Sequence, residues 1–204
     1  LYIHVDAHLI VIDKPAGLLS VPGRGEDKAD CAVSRVEADY PGALTVHRLD
    51  MATSGLLILA RSKEMQAALS RMFELGQMEK EYHAHVWGLP DPPVGLIDLP
   101  LITDWPNRPR QKVDHEIGKP SRTRYETMET DASGARLRLR PLTGRSHQLR
   151  VHLAEIGHPI LGDELYAHPE AHAAAPRLLL HASALGFDHP YSGDRFDITV
   201  PCPF

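Results

Sequence analysis

Only two cysteines, Cys31 and Cys202, occur among 204 residues. Two distant thiols cannot form a disulfide framework and lack the paired spacing of a metal site, so reduced thiols are the plain reading. Apolar runs are short as well. The best, Leu56 to Ala60, is a strand-sized piece, far below the roughly 20 residues that a membrane-spanning helix needs. There is no Walker-type phosphate loop, no glycine-rich dinucleotide fingerprint after a strand and no Gly-x-Ser-x-Gly elbow. The most familiar routes to nucleotide hydrolysis, dinucleotide-dependent redox chemistry and serine hydrolysis are thereby removed. The opening Leu-Tyr-Ile-His-Val-Asp has no basic region followed by a long apolar stretch and does not read as a secretory signal. It does not start with methionine either, which leaves the natural start open. The expectation is a cytoplasmic protein with no internal repeat and no low-complexity tract.

What is present is an uneven distribution of charge. The formal net charge is −5, unfavourable for a partner rich in phosphate. Between Arg108 and Arg150, however, 11 basic residues face 5 acidic ones, and the rest of the chain holds 11 basic against 22 acidic. An asymmetry of this size suggests a local polyanion-binding face on an acidic body. When charge is the only observation, an ordinary solvated charged surface explains it better.

The chain alternates short apolar strands with a few amphipathic segments. Leu9 to Asp13 reads as a buried strand ended by Lys14-Pro15, and Gly55 to Ala60 as a second. Lys28 to Tyr40 is a candidate helix stopped by Pro41-Gly42, and Val21 to Gly25 a glycine-bearing turn. After Ser62, a fitting N-cap, Met65, Leu69, Met72 and Phe73 recur at helical spacing, with Gly76 just past the end. In Glu81 to Trp87 the alternation puts Tyr82, Ala84 and Val86 on one face and His83, His85 and Trp87 on the other. Pro90 to Pro120, rich in proline and charge, reads as a long hairpin or loop. Arg136 to Arg140 alternates leucines with three arginines, and a helix follows Thr143-Gly144-Arg145 with Leu149, Leu153 and Ile156 along one side. Leu178 to Leu180 and Phe196 to Val200 supply closing strands. Strands outnumber helices without regular alternation, which predicts an α+β fold: a mixed, mostly antiparallel sheet flanked by helices and loops.

Three places carry residues suited to chemistry. In His47-Arg48-Leu49-Asp50, a carboxylate two residues from an arginine sits in a polar turn that feeds a buried strand. Held ionised, Asp50 is a competent nucleophile or base. On spacing alone the same residue reads better as a structural turn aspartate. Arg145, at a glycine-bearing turn where a helix is expected to begin, suits contact with an anion or with a catalytic carboxylate; an ordinary capped helix explains it too. Tyr82 is either a functional ring or a core tyrosine with a satisfied hydroxyl. His168 and His172 have the four-residue spacing of zinc ligands on a helix, but no third ligand stands out, and no metal is expected.

Taken in order, these pieces resemble the RluA family of pseudouridine synthases. The motifs are Asp13-Lys14-Pro15-Ala16-Gly17-Leu18, HRLDMATSGLLILA at 47–60, EKEYHAHVWG at 79–88, LTGRSHQLRVHL at 142–153, GHPILGDELY at 157–166 and RLLLHA at 177–182. The resemblance covers nearly the whole chain and is strongest to the compact dual-specificity type acting on tRNA and 23S rRNA. It implies the pseudouridine-synthase catalytic fold, with residues 1–204 as a single catalytic domain and no separate N-terminal RNA-binding domain. It implies that Asp50 is the essential aspartate that engages the ribose and that Tyr82 stacks on the uracil and takes the C5 proton. Arg145 pairs with the aspartate, and Arg48 fills the gap left by a flipped nucleotide.

The reaction so implied is an isomerisation of uridine to pseudouridine in structured RNA, which requires neither cofactor nor metal. The expected targets are uridine 32 of a tRNA anticodon loop and uridine 746 of 23S rRNA. The insert at 99–126 supplies candidates for holding the RNA backbone: Arg108, Arg110, Lys112, Lys119, Arg122 and Arg124. A solvated loop face remains the other reading of these six. The expected partner is a tRNA or rRNA stem-loop, with no membrane, and the expected state is a monomer. Three alternatives stand beside this: a synthase of the same family acting on another rRNA uridine, an inactive RNA-binding module on the same fold, and a sugar hydrolase. The hydrolase would want a second carboxylate as acid, and none declares itself.

Overall fold

A computed structural model describes residues 2–23, 25 and 29–204. The expected helix start at Lys28 and Arg24 of the glycine-bearing turn lie outside the described residues. The first elements are β1 (Tyr2–Val5), β2 (Leu9–Lys14), α1 (Ala32–Asp39), β3 (Leu44–Thr45), β4 (Ser54–Ala60), α2 (Lys63–Glu74) and β5 (Glu79–Trp87). They are followed by β6 (Val94–Asp98), β7 (Leu101–Thr103), β8 (Gln111–Val113), β9 (Arg122–Asp131) and β10 (Gly134–Pro141). The last are α3 (Gln148–Glu155), α4 (Pro169–Ala173), β11 (Leu180–Asp188) and β12 (Arg195–Thr199). This mixture, a sheet-rich chain with few helices, is the α+β class that the pattern predicted. No helix among the described residues is long and apolar enough to cross a membrane.

The chain divides into two compact units, the first comprising 1–80 and 181–203 and the second 81–180 with residue 204. In the first, strands run in the order β1-β2-β4-β11, with β3 also on β4 and β12 on β11. Every residue of β4 is buried, as are Leu9 to Ile12 of β2, which is why both read as unbroken apolar runs. The pairings are antiparallel except for β4 with β11, which is parallel through Ser54–His181 and Gly55–Ala182. The predicted cap of α2 is present: Ser62 Oγ accepts the Met65 N–H at 3.1 Å. Met65 and Leu69 of that helix join Leu9, Val11, Leu56, Ile58 and Phe187 in the core. Burial of this apolar surface, at about 25 cal/mol per Å², is what fixes α2 on the sheet.

In the second unit β5, β10, β9 and β6 form an antiparallel series. The two-residue alternations hold. Ala84 and Val86 of β5 and Ala135, Leu137 and Leu139 of β10 are fully buried. The opposite face carries paired charges. Arg140 bonds Glu81 at 2.9 Å, Arg138 reaches Glu126 at 3.0 Å, and Arg136 lies 3.6 Å from Glu129. β9 falls in the stretch read from sequence partly as an insert, because Arg-Thr-Arg-Tyr-Glu-Thr carries too little apolar signal. The predicted hairpin is real but smaller than 90–120: β7 and β8 pair through Leu101–Val113 to Thr103–Gln111.

α3 departs from expectation. The spacing predicts one apolar side, yet Gln148 to Leu153 are all buried, polar residues included. Each polar side chain finds partners. Arg150 is held by Asp163 through two bonds of 2.8 and 2.7 Å, and the His152 ring nitrogens lie 3.0 Å from Thr123 Oγ1 and from the Leu99 carbonyl. Buried groups satisfied in this way cost far less than orphaned ones.

Candidate active site

The turn carrying Asp50 belongs to the first unit and is built from inside. Lys14, at the end of β2, has a fully buried side chain. Its ammonium donates to the carbonyls of Pro15 at 2.9 Å, Leu18 at 2.8 Å and Met51 at 3.2 Å. Three carbonyls satisfy its three donors and pin one side of the turn to residues 15–18. Burial pushes the Lys14 pKa down to about 8, while the negative charges of Asp50 and Asp13 oppose that fall. Ser20 Oγ both donates to the Leu49 carbonyl at 2.7 Å and takes the Leu49 N–H at 3.0 Å. The Thr53 N–H closes the turn on the Asp50 carbonyl at 3.1 Å.

The start of the same motif is anchored by His47. Its Nε2 accepts the Ile58 N–H at 3.1 Å, so the ring is neutral with its proton on Nδ1, and it stacks on Phe73 at 4.4 Å. Burial, aided by the charge of Lys80, pushes its pKa down to about 3. Every second member of His47-Arg48-Leu49-Asp50 is thus engaged below: His47 with β4 and Leu49 with Ser20. Arg48 is left exposed and Asp50 half-buried at the turn. Such a turn presents a carboxylate in fixed geometry, as a nucleophile or base requires.

Tyr82 and Arg145 lie in the second unit. Tyr82 is half-buried on β5 opposite Leu139 of β10. Arg145 is exposed, three residues before the first residue of α3 and not at the helix start expected from its glycine. Gln148 holds this turn. Its Oε1 accepts from Thr143 Oγ1 at 2.7 Å and from the Arg145 N–H at 3.0 Å. Its Nε2 donates to the Arg122 carbonyl and to Thr123 Oγ1, both at 3.0 Å. All four sites of a buried amide are used, so the backbone of Arg145 is fixed relative to β9. The Arg145 side chain makes a long bond, 3.4 Å, to the Pro120 carbonyl.

The basic stretch separates into two kinds of residue. Arg136, Arg138 and Arg140 face carboxylates on their own sheet, and Arg150 is buried on Asp163. The other seven of the 11 are exposed: Arg108, Arg110, Lys112, Lys119, Arg122, Arg124 and Arg145. They lie on or beside the β7–β8 hairpin, the start of β9 and the turn before α3. A further exposed group was not foreseen. Trp105, 65% exposed, sits between β7 and β8 with the Arg108 guanidinium 4.6 Å from its ring centre. His168 caps α4 by accepting the Ala171 N–H at 3.3 Å, so its spacing from His172 reflects a helix cap.

The family model described as RNA pseudouridylate synthase matches residues 8–155, most of the chain. The chain belongs to the RNA pseudouridylate synthase family. It is accordingly an isomerase that acts on RNA. The Escherichia coli K12 protein named dual-specificity RNA pseudouridine synthase RluA is 54% identical over 203 residues, covering 99% of this chain and 93% of that one. The Vibrio vulnificus protein of the same name is 50% identical over 204 residues, covering 98% and 82%. Among solved structures, human RNA pseudouridylate synthase domain containing 1 superposes with a TM-score of 0.82 at 26% identity, covering 100% of this chain and 83% of that one. Human RNA pseudouridylate synthase domain containing 4 gives 0.78 at 25%, covering 99% and 88%.

In this pseudouridylate synthase chain, sequence reasoning named Asp50, Tyr82 and Arg145 but passed over the residues that hold them. Lys14 lies in the first family motif with no role evident from sequence, since lysine side chains are normally exposed. Gln148 looked like one polar residue among several on a helix. Trp105 was hidden in a proline-rich stretch read as a loop.

Proposed function

We propose that the chain is a dual-specificity synthase that isomerises uridine to pseudouridine in a tRNA anticodon loop and in a large-subunit rRNA hairpin, at the 32 and 746 positions named above. The observation carrying this reading is the 54% identity, over nearly the full length of both chains, to a protein named for dual specificity. The target base is extruded from its stack at a cost of a few kcal/mol. Arg48, exposed beside Asp50, occupies the gap. The Asp50 carboxylate engages the ribose while the C1′–N1 bond breaks. The freed uracil turns against the Tyr82 ring, C5 joins C1′, and Tyr82 takes the proton that leaves C5 while N1 gains one. Atoms balance without any external reagent. Arg145 holds the carboxylate ionised and oriented.

Arg108, Arg110, Lys112, Lys119, Arg122 and Arg124 hold the RNA backbone, and Trp105 offers a stacking face for an unpaired base. In this reading residues 1–204 work as one catalytic domain, as a cytoplasmic monomer. The test is to map pseudouridine in total tRNA and rRNA from cells with and without the protein. Loss at both a tRNA and a large-subunit rRNA position is expected. Loss at one rRNA position alone would replace dual specificity with a single target.

A further inference from the structure

The motif at 157–166 is not used by the reaction described above, yet its last residue stands at a junction. The Tyr166 hydroxyl accepts the Gln111 N–H of β8 at 2.8 Å and lies 2.6 Å from His147 Nδ1. A phenol carries one proton. Its oxygen accepts from the amide and shares one hydrogen bond with His147 Nδ1, the donor being set by the imidazole tautomer. One hydroxyl therefore joins the basic hairpin to the segment between Arg145 and α3.

Both ends of this link are unusual. His147 is the only residue other than glycine with positive φ among the described residues, at 53°. A histidine adopts that left-handed backbone only when its surroundings hold it there. It lies two residues after Arg145 and directly before Gln148, the amide that fixes the Arg145 N–H. At the other end, Tyr166 is itself fixed. Asp163 Oδ1 accepts the N–H groups of Leu165 at 2.9 Å and Tyr166 at 3.2 Å, while the same carboxylate is locked on Arg150. The Arg150 and Arg110 guanidinium groups lie 5.2 and 5.4 Å from the Tyr166 ring centre. The ring is a fixed post between two cations, joined to the turn by its hydroxyl and by an edge-on contact with the His147 ring, 5.7 Å between centroids.

We propose that Tyr166 is a positioning residue that couples the β7–β8 hairpin to the Arg145 turn, so that RNA seated on the hairpin sets the arginine for catalysis. The proposal rests on the reading of Arg145 as a group that serves the catalytic carboxylate. A tyrosine with a merely structural role would support stability without touching turnover.

The experiment compares wild type, Tyr166→Phe, His147→Gly and the double variant on a synthetic anticodon stem-loop, with melting temperatures measured alongside. Tyr166→Phe keeps the ring, both cation contacts and the ring contact with His147, and removes the hydroxyl with its bonds to Gln111 and His147. His147→Gly keeps the left-handed turn and removes the imidazole that bonds the hydroxyl. Each is expected to lower kcat by about tenfold, the effect of one lost positioning hydrogen bond, with KM changed much less. The double variant should be no worse than either single one, because both break the same link. An unchanged kcat in Tyr166→Phe, even with a lowered melting temperature, overturns the proposal, as do losses that multiply. Arg145→Met separates the two readings. If it retains full activity, the reading of Arg145 falls; if it is inactive while Tyr166→Phe is normal, only the coupling falls.

Discussion

His47 shows how much one residue beneath the site decides. Its ring works as a neutral acceptor for the Ile58 N–H, and burial holds its pKa at about 3 against 6.5 in an open chain. Between those two values the unfolded chain binds a proton that the folded one refuses, so stability falls as the pH drops from 6.5 toward 3. His152 and His83, whose pKa values burial also lowers, act in the same direction. Urea unfolding of wild type between pH 7 and 4.5 should show this decline, and His47→Asn should flatten part of it. An undiminished slope in the variant would remove His47 from the account. Residues of this kind were the least legible. Asp50 could be named because its motif stands in order with five others, whereas the pattern around Lys14 gives no sign that its charge is buried under the turn. Burial of a cation is a property of the surrounding fold, and local sequence carries no periodicity that reports it.

At the scale of elements, legibility followed the strength of the apolar signal. β2 and β4 were readable because strands covered on both faces leave uninterrupted Leu, Ile and Val, and α2 because its cap, stripe and terminal glycine agree. β9 was not, since its charged residues pair with arginines of β10 across the sheet. α3 was half-read: its leucines were visible, but its buried Gln148, Arg150 and His152 look like surface residues until Thr123, Asp163 and the Leu99 carbonyl are placed around them. One glycine of the Asp50 motif has a definite packing reason. Gly55 has φ +109°, and a Cβ there would stand 2.3 Å from the Ala182 carbonyl oxygen across the parallel β4–β11 pair. Gly55→Ala should therefore destabilise the fold by about 1–3 kcal/mol or more, the range for overpacking with added backbone strain. Chemical denaturation measures it, and an unchanged midpoint would show that the strands separate freely at this point.

Over the whole molecule, net charge gave the wrong sign for an RNA-modifying enzyme and its distribution gave a better one. Even the distribution overstated the case, because four of the 11 basic residues in the middle stretch are spent on carboxylates of their own unit. Seven exposed ones remain, including all six expected to hold RNA. Sequence alone could not divide them, since a strand arginine facing a glutamate and a loop arginine facing water look alike before register is known. The family itself was legible from motif order, and its membership fixes the reaction class. The role proposed for Asp50 rests on that membership. The direct measurement is single-turnover pseudouridine formation by Asp50→Asn on an anticodon stem-loop, with RNA affinity measured in parallel. The substitution is nearly isosteric but can act neither as nucleophile nor as base. Product formation should vanish while affinity stays close to wild type; pseudouridine appearing at a near-normal rate would contradict the assignment.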